Sequence, residues 1–219
     1  MTDSAIPQVD VALPEVSHVA FVVDDLEESM RRFGALFGME PWVTYRYEPP
    51  RLTDATYRGE PAEYSMRVAV TDVGGPVDLT TTVVSGGTLQ RVVGWLTALR
   101  DRLGLRPGSD GGEVLSSFPN PGVPGLNVEL IEPLDGPSTY TEHLDAGGTG
   151  IHHIGCFAFD DPRAAVERYE DAGIQVVQSG RFEGLKFWYL DMREELDGVL
   201  LEIAANLWAV PSPDGVYPE

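Results

Sequence analysis

Residues 16–42, VSHVAFVVDDLEESMRRFGALFGMEPW, can be laid over residues 151–177, IHHIGCFAFDDPRAAVERYEDAGIQVV, and the two stretches match feature by feature. His18 falls on His153, 135 residues later, and Ala20 falls on Gly155. An aspartate pair follows each strand, Asp24-Asp25 and Asp160-Asp161, with a slip of one residue. Each pair opens an amphipathic helix that an aspartate is placed to cap. Leu26, Met30, Phe33 and Phe37 form one stripe in the first helix, and Val166 and Tyr169 hold similar places in the second. Both helices end in glycine, Gly38 and Gly173, before a new strand begins.

The ends of the two copies also match. NVELIEP (127–133) and VLLEIAA (199–205) are apolar strands with a glutamate in the middle, Glu129 and Glu202. Between helix and closing strand each copy has room for two more strands, near 42–47 and 64–70 in the first and near 174–179 and 185–191 in the second. A β-α-β-β-β unit written twice predicts an α+β protein. Its two tandem modules pair their sheets into one cupped, barrel-like cleft. The expected layout is an N-terminal tail (1–15), a first module (16–135), a linker (136–149), a second module (150–206) and a C-terminal tail (207–219). The copies differ at an insert of about fifty residues, near 71–126, in the first module. Within it, 77–84 reads as a strand and 88–104 as a helix with Leu89, Val92, Val93, Leu96, Leu99 and Leu103 on one face. That face is expected to pack on the outside or rim of the domain.

Symmetry singles out four residues: His18, Glu129, His153 and Glu202. A glutamate among Leu, Ile and Val in a buried strand is costly unless it is paired or bound to a cation. Two imidazoles and two carboxylates suit one divalent ion of the Ni, Co, Zn, Mn or Fe type. The plainer alternative is a hydrogen-bonded polar seam. In GIHHIG (150–155) strand neighbours point to opposite faces, so only one histidine of the pair can look into the site. The repeat selects His153, which leaves His152 facing away and His143 exposed in the linker.

The net charge of −20 disfavours nucleic acid and anionic membranes as partners. No basic and apolar leader is visible in MTDSAIPQVD, and no run reaches membrane-spanning length, so a cytoplasmic location is expected. The one cysteine, Cys156, lies in an apolar strand and reads as a buried, inert thiol. Arg46, Arg51, Arg58 and Arg67, with Arg181 and Lys186, are grouped closely enough to hold a substrate carboxylate or phosphate.

The stretches SHVAFVVDDLEESMRRFGALFG, VELIEPLDGPSTYTEHLDAGGTGIHHIGCFAFDD and GVLLEIA resemble the vicinal oxygen chelate superfamily, in its methylmalonyl-CoA epimerase and glyoxalase I-like branch. The resemblance covers most of 16–205 apart from the insert. It implies the same four metal ligands, His18, Glu129, His153 and Glu202, and a homodimer, as relatives commonly are. It also implies a metal-dependent epimerase, isomerase or lyase acting through an enolate on a small carbonyl substrate. Glu202 is the first candidate for the catalytic base and Glu129 the second.

Bacterial epimerases of this family can carry a further glutamate on the third strand of the first repeat. Here YSMRVAV has none, although Glu60 and Glu63 precede it. With the insert, this points to a substrate other than those of the compact enzymes, such as a catabolic or natural-product intermediate. The ring-cleaving dioxygenase branch is disfavoured because no histidine follows His153. The alternative function is that of the bleomycin-resistance proteins, which bind a drug without metal. Trp42, Tyr45, Tyr47, Phe187, Trp188 and Tyr189 could line such a pocket.

Overall fold

Each helix begins at the second aspartate of its pair. In the computed structural model, which describes residues 6–72 and 126–218, the Asp25 carboxylate accepts from the Glu28 amide and opens α1 (Leu26–Phe37). The Asp161 carboxylate accepts from the Ala164 amide and opens α3 (Pro162–Asp171), with Pro162 in the first turn. Gly38, at φ 68°, ends α1 in the left-handed conformation that glycine adopts without penalty.

The strands are β1 (His18–Val22), β2 (Trp42–Tyr47), β3 (Leu52–Tyr57), β4 (Glu60–Pro61), β5 (Ser65–Asp72), β6 (Asn127–Asp135), β7 (Gly150–Cys156), β8 (Val176–Phe182), β9 (Leu185–Leu190), β10 (Leu200–Ala205) and β11 (Gly215–Tyr217). They form one sheet in the order β11-β2-β5-β6-β1-β7-β10-β9-β8-β3-β4. The first module supplies β2-β5-β6-β1 and the second, in mirrored order, β7-β10-β9-β8. The two halves meet where β1 runs antiparallel to β7. His18 pairs with Gly155, Val19 with Ile154 and Ala20 with His153. This pairing is symmetric about Val19 and Ile154, as the sequence repeat requires.

Alternation along the strands sends apolar side chains to two faces. One face is lined by a cluster that includes Tyr47, Met66, Val68, Ile131, Phe187 and Tyr189. On the other, α1 covers Trp42, Ala69, Val128 and Leu130, and α3 covers Cys156, Leu190, Leu201 and Ile203. Cys156 is fully buried there, and burial pushes its thiol up to about 11, with the Glu202 charge adding. This agrees with an inert thiol.

Among the described residues, four elements, β3, β4, a helix in the linker and β11, depart from the expected pattern. β3 and β4 come from the turn-rich stretch between the first module's second and third strands, and β3 pairs with β8 of the other module. The linker contains α2 (Thr139–Asp145), capped by the Ser138 hydroxyl. The C-terminal segment returns to pair β11 with β2. The strand expected at 77–84 and the helix expected at 88–104 lie outside the described residues.

Candidate metal centre

Two rows cross the join between the halves. In one, His18 on β1 stands beside Gly155 on β7, and Gly155 beside Glu202 on β10. In the other, His153 on β7 stands beside Ala20 on β1, and Ala20 beside Glu129 on β6. Each histidine therefore reaches the other module's glutamate across one small residue. Strands lie about 4.8 Å apart, so these backbones are roughly 10 Å distant, a gap that imidazole and glutamate side chains can span together.

The four side chains converge. All are less than a tenth exposed, and one donor atom from each lies within 4.8 Å of the others. His18 Nε2 stands 3.0 Å from His153 Nε2, 3.1 Å from Glu202 Oε2 and 3.3 Å from Glu129 Oε2. His153 Nε2 stands 3.4 Å from each carboxylate. Zinc-like bonds of about 2.0–2.2 Å place neighbouring ligand atoms about 2.8–3.6 Å apart in tetrahedral or octahedral geometry. The distances that involve the two histidines fall inside that range, so this buried group could hold a metal ion.

Without an ion, a proton carries the countercharge. Burial pulls His18 down, but its hydrogen bonds and attraction to Glu129 and Glu202 outweigh burial and hold it up to about 10. Burial pushes the carboxylates up, and the histidines outweigh it: Glu129 lies below its ordinary range and Glu202 is held down to about 2. The signs define a pH window. Stability from Glu202 is present above its ordinary 4.5 and is lost as pH falls toward about 2. Stability from His18 is present below its ordinary 6.5 and is lost as pH rises toward about 10. The centre therefore stabilises metal-free protein most between pH 4.5 and 6.5. Added zinc should raise the melting temperature by an increment that grows above pH 6.5, because the ion replaces the His18 proton. Melting curves across pH, with and without zinc, check this; an increment that is flat with pH counts against ion–proton competition.

Facing three of the four is a cavity of about 20 Å³, room for about one water, lined by His18, Glu129 and Glu202 together with Tyr47, Tyr140, Phe187 and Tyr189. The Tyr140 hydroxyl donates to Tyr189 at 2.8 Å, and burial keeps both phenols protonated, well above their ordinary range. Of the six aromatics expected in a pocket, Tyr47, Phe187 and Tyr189 line it. Tyr45 packs in the same apolar cluster. Trp42 and Trp188 pack on the helix-covered face, because alternation along β2 and β9 turns them outward. β5 faces the cavity with Met66, Val68 and Val70, whereas Glu60 and Glu63 are exposed outside it.

The expected cationic group does not face the cavity. Arg46 pairs with Glu48, Arg51 with Glu183 and Asp214, Arg58 with Glu142, Arg67 with Glu27 and Glu132, and Arg181 with Asp54. Lys186 lies over the Trp188 ring. The arginine charges serve surface ion pairs.

Two histidines are also placed differently from expectation. The register of β7 against β1 jumps from His153 to Ile151, so His152 is the extra residue of a β-bulge. The bulge turns His152 to the same side as His153. Both are buried, and their Nδ1 atoms are 3.0 Å apart. His143, on α2, is partly buried and packs on His152, with ring centroids 5.5 Å apart. A bulge leaves no signature in strand periodicity, so the alternation rule missed it.

A family model described as the glyoxalase/bleomycin resistance protein/dioxygenase superfamily matches residues 17–189. Methylmalonyl-CoA epimerase from Mycobacterium tuberculosis superposes at a TM-score of 0.51 and 17% identity, covering 92% of this chain and 95% of that one. A Streptomyces coelicolor methylmalonyl-CoA epimerase variant in complex with 2-nitronate-propionyl-CoA gives 0.48 and 19%, covering 92% and 100%. A hypothetical protein from Bacillus halodurans gives 0.49 and 13%, covering 88% and 94%. No curated protein matches by sequence. At 17% identity the likeness to the Mycobacterium tuberculosis protein speaks to the fold alone, a curled sheet of two β-α-β-β-β modules.

Proposed function

The chain belongs to the glyoxalase/bleomycin resistance protein/dioxygenase superfamily, and from that premise we propose that it is a divalent-metal enzyme. It would move a proton next to a carbonyl group, as an epimerase, isomerase or lyase. The observation that carries this reading is the convergence of two imidazoles and two carboxylates, all buried, on one point beside a cavity. In this reading His18, Glu129, His153 and Glu202 hold the ion. A bound ion would supply Lewis acidity toward a carbonyl whose neighbouring C–H gives up its proton.

The chain's own residues divide the remaining work. Glu202 and Glu129 line the cavity and are held ionised, so either can accept a proton; Glu202 is the first candidate. Tyr140 and Tyr189 stay protonated; Tyr140 donates its O–H to Tyr189, which leaves the Tyr189 hydroxyl as the donor on this side of the cavity. The apolar wall of Met66, Val68 and Val70 excludes water from the reacting carbon. The β5 residues that line the cavity, Met66, Val68 and Val70, include no carboxylate, so the proton is returned by one of the two glutamates or by a group that the substrate brings. Anything larger than a water needs the lining side chains to move aside.

The test combines metal analysis of purified protein with deuterium exchange from solvent into a panel of 2-keto acids, hemithioacetals and acyl-CoA esters. One equivalent of divalent metal and exchange into one compound class are expected, with Glu202→Gln slowing exchange by about 10²–10⁴-fold. Metal-free protein that binds an apolar drug and exchanges nothing would instead place it with the drug-binding members.

A further inference from the structure

All four histidines of the chain lie in one run of ring contacts. His18 and His153 are 5.1 Å apart between ring centroids, His153 and His152 5.3 Å, and His152 and His143 5.5 Å. The first two belong to the metal centre. His152 is 2% exposed and enclosed by Tyr140, His143, His153 and Tyr189.

His153 is a neutral ligand through one nitrogen only. Its Nε2 faces His18, Glu129 and Glu202, so the lone pair has to be there and the proton has to sit on Nδ1. A buried Nδ1–H needs an acceptor. The atom within reach is His152 Nδ1, at 3.0 Å. His152 can accept there only as a neutral ring protonated on Nε2. Its surroundings favour an uncharged ring, because the side chain is shut away from water among the rings of Tyr140, His143, His153 and Tyr189. Its other nitrogen, Nε2, is buried and makes no hydrogen bond among the described residues. The β-bulge at His152 is what makes the arrangement available, since a regular strand would turn His152 to the other face.

We propose that His152 is a positioning residue of the metal centre: its Nδ1 accepts the Nδ1–H of His153 and so fixes the tautomer that presents Nε2 to the ion. The role rests on the metal reading above. An outer partner that fixes a histidine ligand in this way is typically worth about 10–100-fold in metal affinity.

The experiment compares the full-length protein with His152→Phe, which keeps a ring and removes the acceptor, and His152→Asn, whose side-chain oxygen can stand near the place of Nδ1. Affinity for Co²⁺ and Zn²⁺ is titrated directly, the Co²⁺ absorption spectrum is recorded, and histidine tautomers are read by ¹⁵N NMR in metal-free protein. In the parent, His153 carries its proton on Nδ1. His152→Phe weakens both metals by about 10–100-fold, shifts the Co²⁺ bands and moves the His153 proton toward Nε2. His152→Asn restores affinity to within a few-fold. Parent-like affinity and tautomer in His152→Phe overturn the proposal, and so do equal losses in both variants, which would mean that the site needs only the bulk of the ring. A parent protein that binds neither metal defeats the metal reading and the proposal with it. A folded His152→Phe variant that binds normally defeats the proposal alone.

Discussion

His18→Ala should bind zinc or cobalt at least about 100-fold more weakly than the parent, and its metal-free form should be less stable by roughly 3–5 kcal/mol. The first figure follows from sharing. Four-ligand zinc sites bind with about 10–16 kcal/mol, so one ligand carries about 3–4 kcal/mol, or roughly 10²–10³-fold in affinity. The second follows from charge. Without an ion, the protonated His18 stands 3.1 and 3.3 Å from two carboxylates of buried residues. Deleting it leaves both carboxylates buried in each other's field, which costs far more than losing a surface ion pair. The double variant His18→Ala, Glu202→Gln should recover much of that stability without regaining metal, because it removes the stranded charge and not merely a contact. Urea titrations of the metal-free proteins and calorimetric titrations with zinc measure the two effects separately. An unchanged metal-free stability would mean that the carboxylates find their countercharge elsewhere. An unchanged zinc affinity would remove His18 from the ligand set.

The repeat made much of the fold legible, because spacing survives where residue identity does not. The β1–β7 pairing is two-fold symmetric about Val19 and Ile154, and the 135-residue offset already implies such a relation. The same symmetry named the four converging residues, since a histidine in each first strand and a glutamate in each last strand can meet only across the join. Features that belong to one copy were not legible. β3 crosses to the opposite module, a long-range pairing that its turn-rich sequence does not announce. The bulge at His152 changes facing by one residue, and such a slip moves a side chain to the other face without changing composition. The arginines near the first module's middle strands looked available for an anion. The acidic composition supplies each with a carboxylate on the surface, and only coordinates show which pairs form.

Gly155→Ala should disable the centre from a position that bears no ligand. A methyl-sized atom built on Gly155 would lie 1.8 Å from His18 Cε1 and 2.5 Å from His18 Nε2. The obstruction is the body of the ring that reaches across to Glu202, held between strands, and not the end of a flexible chain. Gly155 has no left-handed backbone angle to preserve, so the cost is steric alone. The strand can accept alanine, but the His18 ring cannot keep its place. Its symmetry mate, Ala20, already carries a methyl between Glu129 and His153, so the two copies tolerate different bulk at equivalent positions. Overpacking of this kind costs about 1–3 kcal/mol in stability. The larger effect is on the site: if His18 is a ligand as proposed, displacing it forfeits that ligand, and zinc affinity should fall by roughly 10²–10³-fold. Ala20→Gly relieves nothing that blocks the site and should retain most of the affinity. Zinc titration of both variants, with far-ultraviolet circular dichroism to show that the sheet persists, decides the matter. Parent-like zinc binding by Gly155→Ala would mean that His18 does not need the space over Gly155, and that the row from His18 through Gly155 to Glu202 is not what holds the centre together.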